Sequence, residues 1–121
     1  IIAMIRVILW RRNDGSLAEC CVKGHAGFAP SGKDIVCAAA TALVKTSIAS
    51  LNVSACDDAP VTFTAFGDGE LGFKANQTYG CSKERLIYAG DFLQNGFELL
   101  QKEFPQYLEL RIKITNKPAE A

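Results

Sequence analysis

The sequence predicts an α+β domain in which a mostly antiparallel sheet carries two helices on one face. Short runs of strand-forming residues occur in pairs joined by turns that contain glycine. Two longer segments space their apolar residues as one face of a helix does, and the predicted order of elements is ββαββαβ. This order indicates an α+β domain with both helices on one face of the sheet.

The first two strands are predicted over Met4–Arg12 and Leu17–Gly24. The Asp14-Gly15 pair between them supplies the positive φ that a hairpin turn requires, so the two strands should pair with each other. Side chains alternate between the faces of a strand. The sequence therefore places Cys20 on the core face and Cys21 on the opposite face.

The first helix is predicted to begin after Asp34, with apolar residues recurring at intervals of three and four. Its small side chains would let it lie close to whatever covers it. The positions expected on its apolar face are Ile35, Ala38, Ala39, Ala42, Leu43, Ser47 and Ile48.

A second hairpin is predicted from Val61–Phe66 and Glu70–Ala75, which flank a Gly-Asp-Gly turn. The second helix should begin after Ser82 as the N-cap and end before Pro105. Glycine inside a helix is unfavourable, so its two glycines indicate tight packing or a bend. The apolar positions of this helix are Leu86, Ala89, Leu93, Phe97, Leu100 and Phe104.

The last strand is predicted over Tyr107–Thr115, because leucine and isoleucine alternate there with charged residues. One buried face would then carry Leu108, Leu110, Ile112 and Ile114. Residues 116–121 form a short polar tail. Residues 1–3 precede Met4 and are interpreted as a cloning remnant or an upstream extension. A single domain is therefore expected over residues 4–115.

Charge and composition exclude several classes of partner. The 13 basic side chains balance the 13 acidic ones, and no Lys/Arg block occurs, so direct binding to nucleic acid or to an anionic membrane is not expected. No apolar segment approaches the roughly 18 residues of a membrane span. Five cysteines form no regular disulfide framework. A soluble, cytoplasmic protein with free thiols is expected.

The stretch "GHAGFAPSGKDIVCAAA", Gly24 to Ala40, contains the only histidine of the chain and a cysteine in the first turn of the predicted helix. At that position the helix dipole is expected to lower the pKa of Cys37 into the range of roughly 3.5–7.5, with His25 alongside. Unpaired N–H groups at the helix start could also stabilise an oxyanion. One short segment could thus supply a nucleophile, a base and an anion site.

The candidate residues in and just after this stretch also have purely structural interpretations. His25 could be a partly buried, hydrogen-bonded side chain, and Cys37 a small core side chain. Asp34 is an N-cap in either case, and it could in addition orient His25. Thr41 lies one helical turn after Cys37, where a hydroxyl commonly bonds back to its own helix.

A closed zinc site is a further alternative. Its ligands would be Cys21, His25 and Cys37 with either Cys56 or Cys81. No C-x-x-C pair supports it, and no metal is expected.

The motif "GHAGFA" followed by "SGKDIVCAAATAL" resembles the signature of the ribosomal-processing cysteine protease family. The resemblance extends from "MIRVILWRRNDG" to "PQYLELRI", nearly the whole domain. It implies a cysteine endopeptidase that removes a short N-terminal extension from large-subunit ribosomal protein twenty-seven. It also implies a homodimer that needs no cofactor, and it makes residues 4–115 a cysteine-protease-like domain.

Matched to the motif, the nucleophile is Cys37 and the base is His25, while Gly24 and Asp34 occupy supporting positions. Thr41 stands where family members often have serine, which leaves its role open.

The loop between the histidine and the cysteine is expected to hold the substrate and, through its glycines, to open and close over it. Its expected substrate-loop residues are Gly27, Phe28, Ala29 and Gly32, with Phe28 and Ala29 supplying apolar contact near the cleavage point. The alternative function is a non-catalytic, ribosome-associated module that binds a protein tail.

Overall fold

A computed structural model describes residues 4–30, 34–52, 61–67, 69–76 and 83–115 of the chain. The elements follow the predicted order ββαββαβ. They are β1 (Ile5–Arg12), β2 (Leu17–Lys23), α1 (Ile35–Asn52), β3 (Val61–Gly67), β4 (Glu70–Ala75), α2 (Lys83–Glu103) and β5 (Leu108–Thr115).

The five strands form one sheet in the order β3-β4-β2-β1-β5. Three neighbouring pairs are antiparallel, whereas β5 lies parallel to β1, with Val7 opposite Leu110. The predicted, mostly antiparallel sheet is thus confirmed. The parallel edge arises because the chain passes through α2 before it returns beside β1, and a parallel pair requires such a crossover.

The first hairpin closes as the sequence predicts. Arg12 N donates to Ser16 O at 2.8 Å, and Gly15 has a φ of +90°. Cys20 is fully buried on the core face and Cys21 is half-buried on the other, as expected from the alternation along β2.

Both helices pack on the same face of the sheet, which confirms the predicted layering. The inward side chains of β1, β2 and β4 share one core with α1 and α2. The largest of the fully buried side chains are Phe73, Phe97, Ile5, Leu9, Leu17, Leu86, Leu93 and Leu108.

The predicted apolar face of α1 is confirmed at Ser47 and Ile48 but is wrong at Ile35, Ala38 and Ala42. Ile35 is 55% exposed, and Ala38 and Ala42 also face solvent. The first two turns of this helix contain apolar residues on every side, so three- and four-residue spacing fits more than one face. Tertiary packing selects the side that carries Val36, Ala40, Val44, Ser47, Ile48 and Leu51.

The predicted face of α2 is confirmed, with Leu86, Ala89, Leu93 and Phe97 buried. Its two glycines mark tight packing within a continuous helix. A Cβ on Gly96 would lie 2.9 Å from a methyl carbon of Leu43 in α1, and a Cβ on Gly90 would lie equally close to the guanidinium of Arg11.

Arg11 links β1 to α2. Its guanidinium donates to the carbonyl oxygen of Gly15, to that of Ile87, to Asp91 and to Gln94, and its side chain is only 12% exposed. A charged group at this depth is tolerated because nearly every donor has an acceptor.

The predicted buried face of β5 is confirmed only at its beginning. Leu108 is fully buried and Leu110 half-buried, but Ile112 is 37% and Ile114 60% exposed. Because β5 is an edge strand, its last residues have a neighbouring strand on one side only, and Ile114 lies opposite Arg11 rather than an apolar residue.

Several predictions fall outside the described residues: the two chain ends, Ser82 as a helix cap, Gly32, Cys56 and Cys81. The domain limits of residues 4–115 remain a prediction. Within the described ranges, neither helix is long and apolar enough to cross a membrane.

Candidate active site

The segment from β2 to α1 lies at one end of the sheet, beside the β3–β4 hairpin. A cavity of about 290 Å³ opens there, and both His25 and Cys37 line it. The other lining residues are Ile5, Val22, Gly24, Ala40, Thr41, Lys45, Gly67, Gly69, Glu70 and Leu71. The structure therefore brings the two residues of greatest chemical interest to one concave site.

Cys37 is half-buried in the first turn of α1, and its Sγ accepts a hydrogen bond from the N–H of Ala26 at 3.3 Å. Burial raises the pKa of the Cys37 thiol, and the nearby Asp34 carboxylate raises it further. The Ala26 N–H lowers this pKa without cancelling the rise. The lowered pKa expected from the helix dipole is therefore not found.

Besides burial of the thiol, part of the reason lies in the N-cap. Asp34 Oδ1 accepts the N–H groups of Val36 and Cys37, each at 3.0 Å. These N–H groups at the helix start were predicted to stabilise a thiolate or an oxyanion, but both already donate to the Asp34 carboxylate. The expectation that they form an anion site for the reaction is thus wrong for these two groups.

The second oxygen of Asp34 holds the preceding loop, because Oδ2 accepts the N–H of Phe28 at 3.0 Å and that of Ala29 at 3.4 Å. Burial alone would raise the pKa of Asp34, but these bonds and those from the helix start bring it below its ordinary value. The N-cap role is confirmed. Orientation of His25 by Asp34 remains a prediction.

Gly24 is required where β2 ends. Its φ is +94°, its N–H donates to Gly69 O at 2.8 Å, and a Cβ would lie 2.5 Å from the carbonyl oxygen of Met4. The next residue, His25, places its ring against Gly69, where a Cβ would approach Nε2 to 3.0 Å. The β3–β4 hairpin thus borders the imidazole, and a turn glycine gave no signal of this in the sequence.

Contacts to the rest of the domain hold the described part of the loop. Ala26 is fully buried, and the Phe28 ring packs edge-on against Phe104 and Tyr107, with centroid separations of 5.5 and 5.2 Å. Phe28 thus packs against the α2–β5 turn, and its contact with substrate near the cleavage point remains a prediction. Opening of the loop remains a prediction.

Thr41 lines the cavity from the helix turn after Cys37 and is exposed, in agreement with its predicted place beside the thiol. Lys45 and Glu70 also line it and bring opposite charges. Sequence reasoning missed both. Lys45 could have been found, because it follows Cys37 and Thr41 on the same helical face, whereas Glu70 is brought there only by the sheet.

The described residues include no group of three or more His, Cys, Asp or Glu side chains able to hold a metal ion. The zinc alternative required Cys56 or Cys81, which lie outside the described ranges. The thiols of Cys20, Cys21 and Cys37 are free, and burial raises the pKa of Cys20 and of Cys21.

A thiol and an imidazole that line one cavity, next to a loop fixed by backbone bonds, are typical of the class of cysteine hydrolases. The family model of cysteine protease Prp matches residues 4–109. The chain therefore belongs to the cysteine protease Prp family. A comparison with curated proteins found no match.

Solved structures share the fold. A crystal structure of an essential ribosomal processing protease Prp from S. aureus, with a covalently linked product peptide, has a TM-score of 0.76 at 18% identity and covers 91% of this chain and 100% of that one. The structure of the S. aureus protease with a substrate peptide has a TM-score of 0.71 at 17% identity and also covers 91% of this chain and 100% of that one. The crystal structure of SMU.848 from Streptococcus mutans has a TM-score of 0.73 at 26% identity and covers 93% of this chain and 97% of that one.

Gly24→Ala is expected to destabilise the protein. A side chain at a strained positive φ costs about 1–3 kcal/mol, and the collision with Met4 O adds to it. Gly67→Ala is the matched control, since a Cβ there meets no atom within 4 Å; it should change the free energy of unfolding by less than about 0.5 kcal/mol. Urea unfolding measures both, and equal stabilities would contradict the close approach.

Asp34→Ala is expected to lower stability at pH 7 by about 1–2 kcal/mol, because two helix amides and two loop amides lose their acceptor. The folded-state pKa of Asp34 is lowered, so its carboxylate stabilises above the unfolded pKa of about 3.9 and loses that effect as pH falls through the folded pKa. The stability difference between wild type and variant should therefore shrink in acid. A difference independent of pH would argue against the bonded carboxylate.

In the free protein, the Cys37 thiol should be no more acidic than an ordinary cysteine thiol. Because its pKa is raised, alkylation by iodoacetamide should accelerate about tenfold per pH unit between about pH 6 and pH 8. Peptide mapping by mass spectrometry reports each cysteine separately, with buried Cys20 as the unreactive reference. A rate that stays high and constant below pH 7 would instead show a thiolate–imidazolium pair.

Proposed function

We propose that the protein is a cysteine endopeptidase that removes a short N-terminal extension from large-subunit ribosomal protein twenty-seven, with Cys37 as nucleophile and His25 as base. The observation that carries the proposal is the cavity that both side chains line, in a chain of the cysteine protease Prp family. The S. aureus relative, described as a ribosomal processing protease, supports the substrate class.

The proposed chemistry begins when the Cys37 sulfur attacks the scissile carbonyl carbon and its proton passes to His25. The C=O electron pair moves to oxygen and forms a tetrahedral intermediate. On collapse the C–N bond breaks, and His25 protonates the leaving amine. Water then hydrolyses the thioester, giving the carboxylate product and the free thiol.

The environment of the sulfur suggests when the proton leaves. The raised pKa of Cys37 favours the neutral thiol before substrate binds, so His25 would act as a general base during attack rather than within a standing ion pair. A bound peptide that displaces water from the cavity would strengthen the interactions between the groups there. A smaller thiolate fraction would make the sulfur of the free protein less reactive toward other electrophiles.

The substrate would lie across the cavity between α1 and the β3–β4 hairpin. Apolar side chains of Ile5, Val22 and Leu71 line it together with the charged Lys45 and Glu70, so it offers both apolar and polar contacts to an extended chain. A ribosomal substrate makes the cytoplasm the expected location. A homodimer that needs no cofactor is part of the proposal through the family resemblance.

Mass spectrometry of the ribosomal precursor tests the function. Wild-type protein should release the N-terminal extension at one peptide bond, and Cys37→Ala and His25→Ala should each lower the rate by at least about 10³-fold. Cys21→Ala is the matched control, because Cys21 lies on the opposite face of the sheet and does not line the cavity; it should cleave normally.

The alternative, a non-catalytic module that binds a protein tail, predicts a different result from the same experiment. The precursor would remain intact with wild-type protein, and Cys37→Ala would bind it with unchanged affinity. Cleavage that survives in Cys37→Ala would contradict both functions as assigned to this site.

A further inference from the structure

Ala26, the third residue of the "GHA" motif, has no side chain able to take part in chemistry, yet its main chain faces the nucleophile. Its N–H donates to the Sγ of Cys37 at 3.3 Å. Two N–H groups at the start of α1, those of Val36 and Cys37, donate instead to Asp34 Oδ1. The Ala26 amide therefore contacts the reactive atom, while these two helix amides have a carboxylate as acceptor.

The position of this amide is fixed from both sides. The methyl group of Ala26 is fully buried, and its neighbours Gly24 and Gly27 have φ values of +94° and +69°. Gly24 is bonded to Gly69, and the Phe28 N–H is bonded to Asp34 Oδ2 at 3.0 Å. An N–H group held in this way needs no reorganisation during a reaction, which is the condition for effective electrostatic stabilisation.

The geometry points to the Ala26 main-chain N–H as the oxyanion donor of the proposed proteolysis. The oxyanion forms on the carbon that bonds Sγ, so a donor already in contact with the sulfur is within reach of it. As the C–S bond forms, the C=O electron pair moves to oxygen and the thiol proton passes to His25. The amide keeps its own proton and transfers only its hydrogen bond, from sulfur to oxygen. This inference rests on the proposed function, because it assigns a further catalytic group to the same site.

Replacing Ala26 by L-lactic acid in the full-length chain tests the assignment, because the ester retains the methyl group and lacks only the N–H. The expected result is a fall in kcat of about 10²–10³-fold, with KM unchanged because the lost bond forms with substrate only in the transition state. The matched control is the same replacement at Ala38, whose N–H donates to the main-chain oxygen of Asp34 at 3.0 Å. That variant should retain its kcat.

Two reagents separate the oxyanion from the sulfur. A peptide aldehyde forms a hemithioacetal with Cys37 and places an oxygen where the oxyanion would lie, so its affinity for the Ala26 ester should fall by about 10²-fold or more. Iodoacetamide alkylates the sulfur without placing an oxygen at that position, so its rate of reaction with Cys37 should fall far less in the ester variant. Equal losses with both reagents would assign the N–H a role in thiol reactivity only and overturn the inference.

Gly27 supplies a second variant that retains every amide. Gly27→Ala introduces an L side chain at positive φ and should displace the Ala26 N–H. The variant should lose kcat, while its free energy of unfolding should change little. D-alanine at the same position adopts this φ without strain and should restore kcat. This rescue would show that Gly27 acts as a positioning residue, and equal activity of the two alanine enantiomers would contradict it.

The outcomes distinguish this inference from the proposed function. An Ala26 ester that cleaves with wild-type kcat overturns the amide's role and leaves the proteolytic function intact. Wild-type protein that cuts no precursor, yet binds the aldehyde more tightly than the ester variant does, overturns the proposed function and supports the oxyanion donor. Wild-type protein that does neither overturns both.

Discussion

Both carboxylate oxygens of Asp34 accept hydrogen bonds from backbone N–H groups. Oδ1 accepts two from the first turn of α1, and Oδ2 accepts two from the loop that follows β2. A single carboxylate thus ties together the helix that carries Cys37 and the loop that carries His25 and Ala26. Its hydrogen bonds fix the sulfur relative to the Ala26 amide, because Asp34 holds the helix turn of Cys37 with one oxygen and the loop of Ala26 with the other. Loss of this interaction would release the loop and the helix start at once, so the geometry of the cavity depends on it.

The same carboxylate also opposes ionisation of the thiol. A negative charge at a helix N-terminus is favourable for the helix, but it takes up the amides that would otherwise stabilise a thiolate, and its own charge opposes a second anion nearby. Burial is the largest cause of the raised pKa of Cys37, and the Asp34 carboxylate adds to it. Helix stability and a preformed thiolate are competing demands at this position. The structure favours helix stability. In the proposed mechanism, Cys37 is therefore deprotonated only when substrate has bound.

Close approaches between backbones place the remaining parts of the site. Gly24 lies against the carbonyl of Met4, just before β1, and has no room for a Cβ, whereas a Cβ on Gly69 would lie 3.0 Å from the imidazole of His25. These contacts join the ends of β1 and β2 to the β3–β4 hairpin. The opposite end of β1 is held to α2 by Arg11, whose donors reach the first turn and the helix. The sheet is therefore fixed at both ends, with the cavity at one of them.

The sequence by itself determined the order of elements, both turns, the buried face of α2 and the N-cap at Asp34, because each depends on local spacing or on the conformational preferences of single residues. It also singled out His25 and Cys37, which the structure brings to one cavity. Only the tertiary structure decided which side of α1 is buried, since that helix is apolar on several sides, and how far β5 is covered at the sheet edge. It also decided the neighbours of the thiol. The burial that raises the pKa of Cys37, the contact from Ala26 and the position of Glu70 in the cavity depend on how separate segments pack together, and local sequence rules carry no information about that packing.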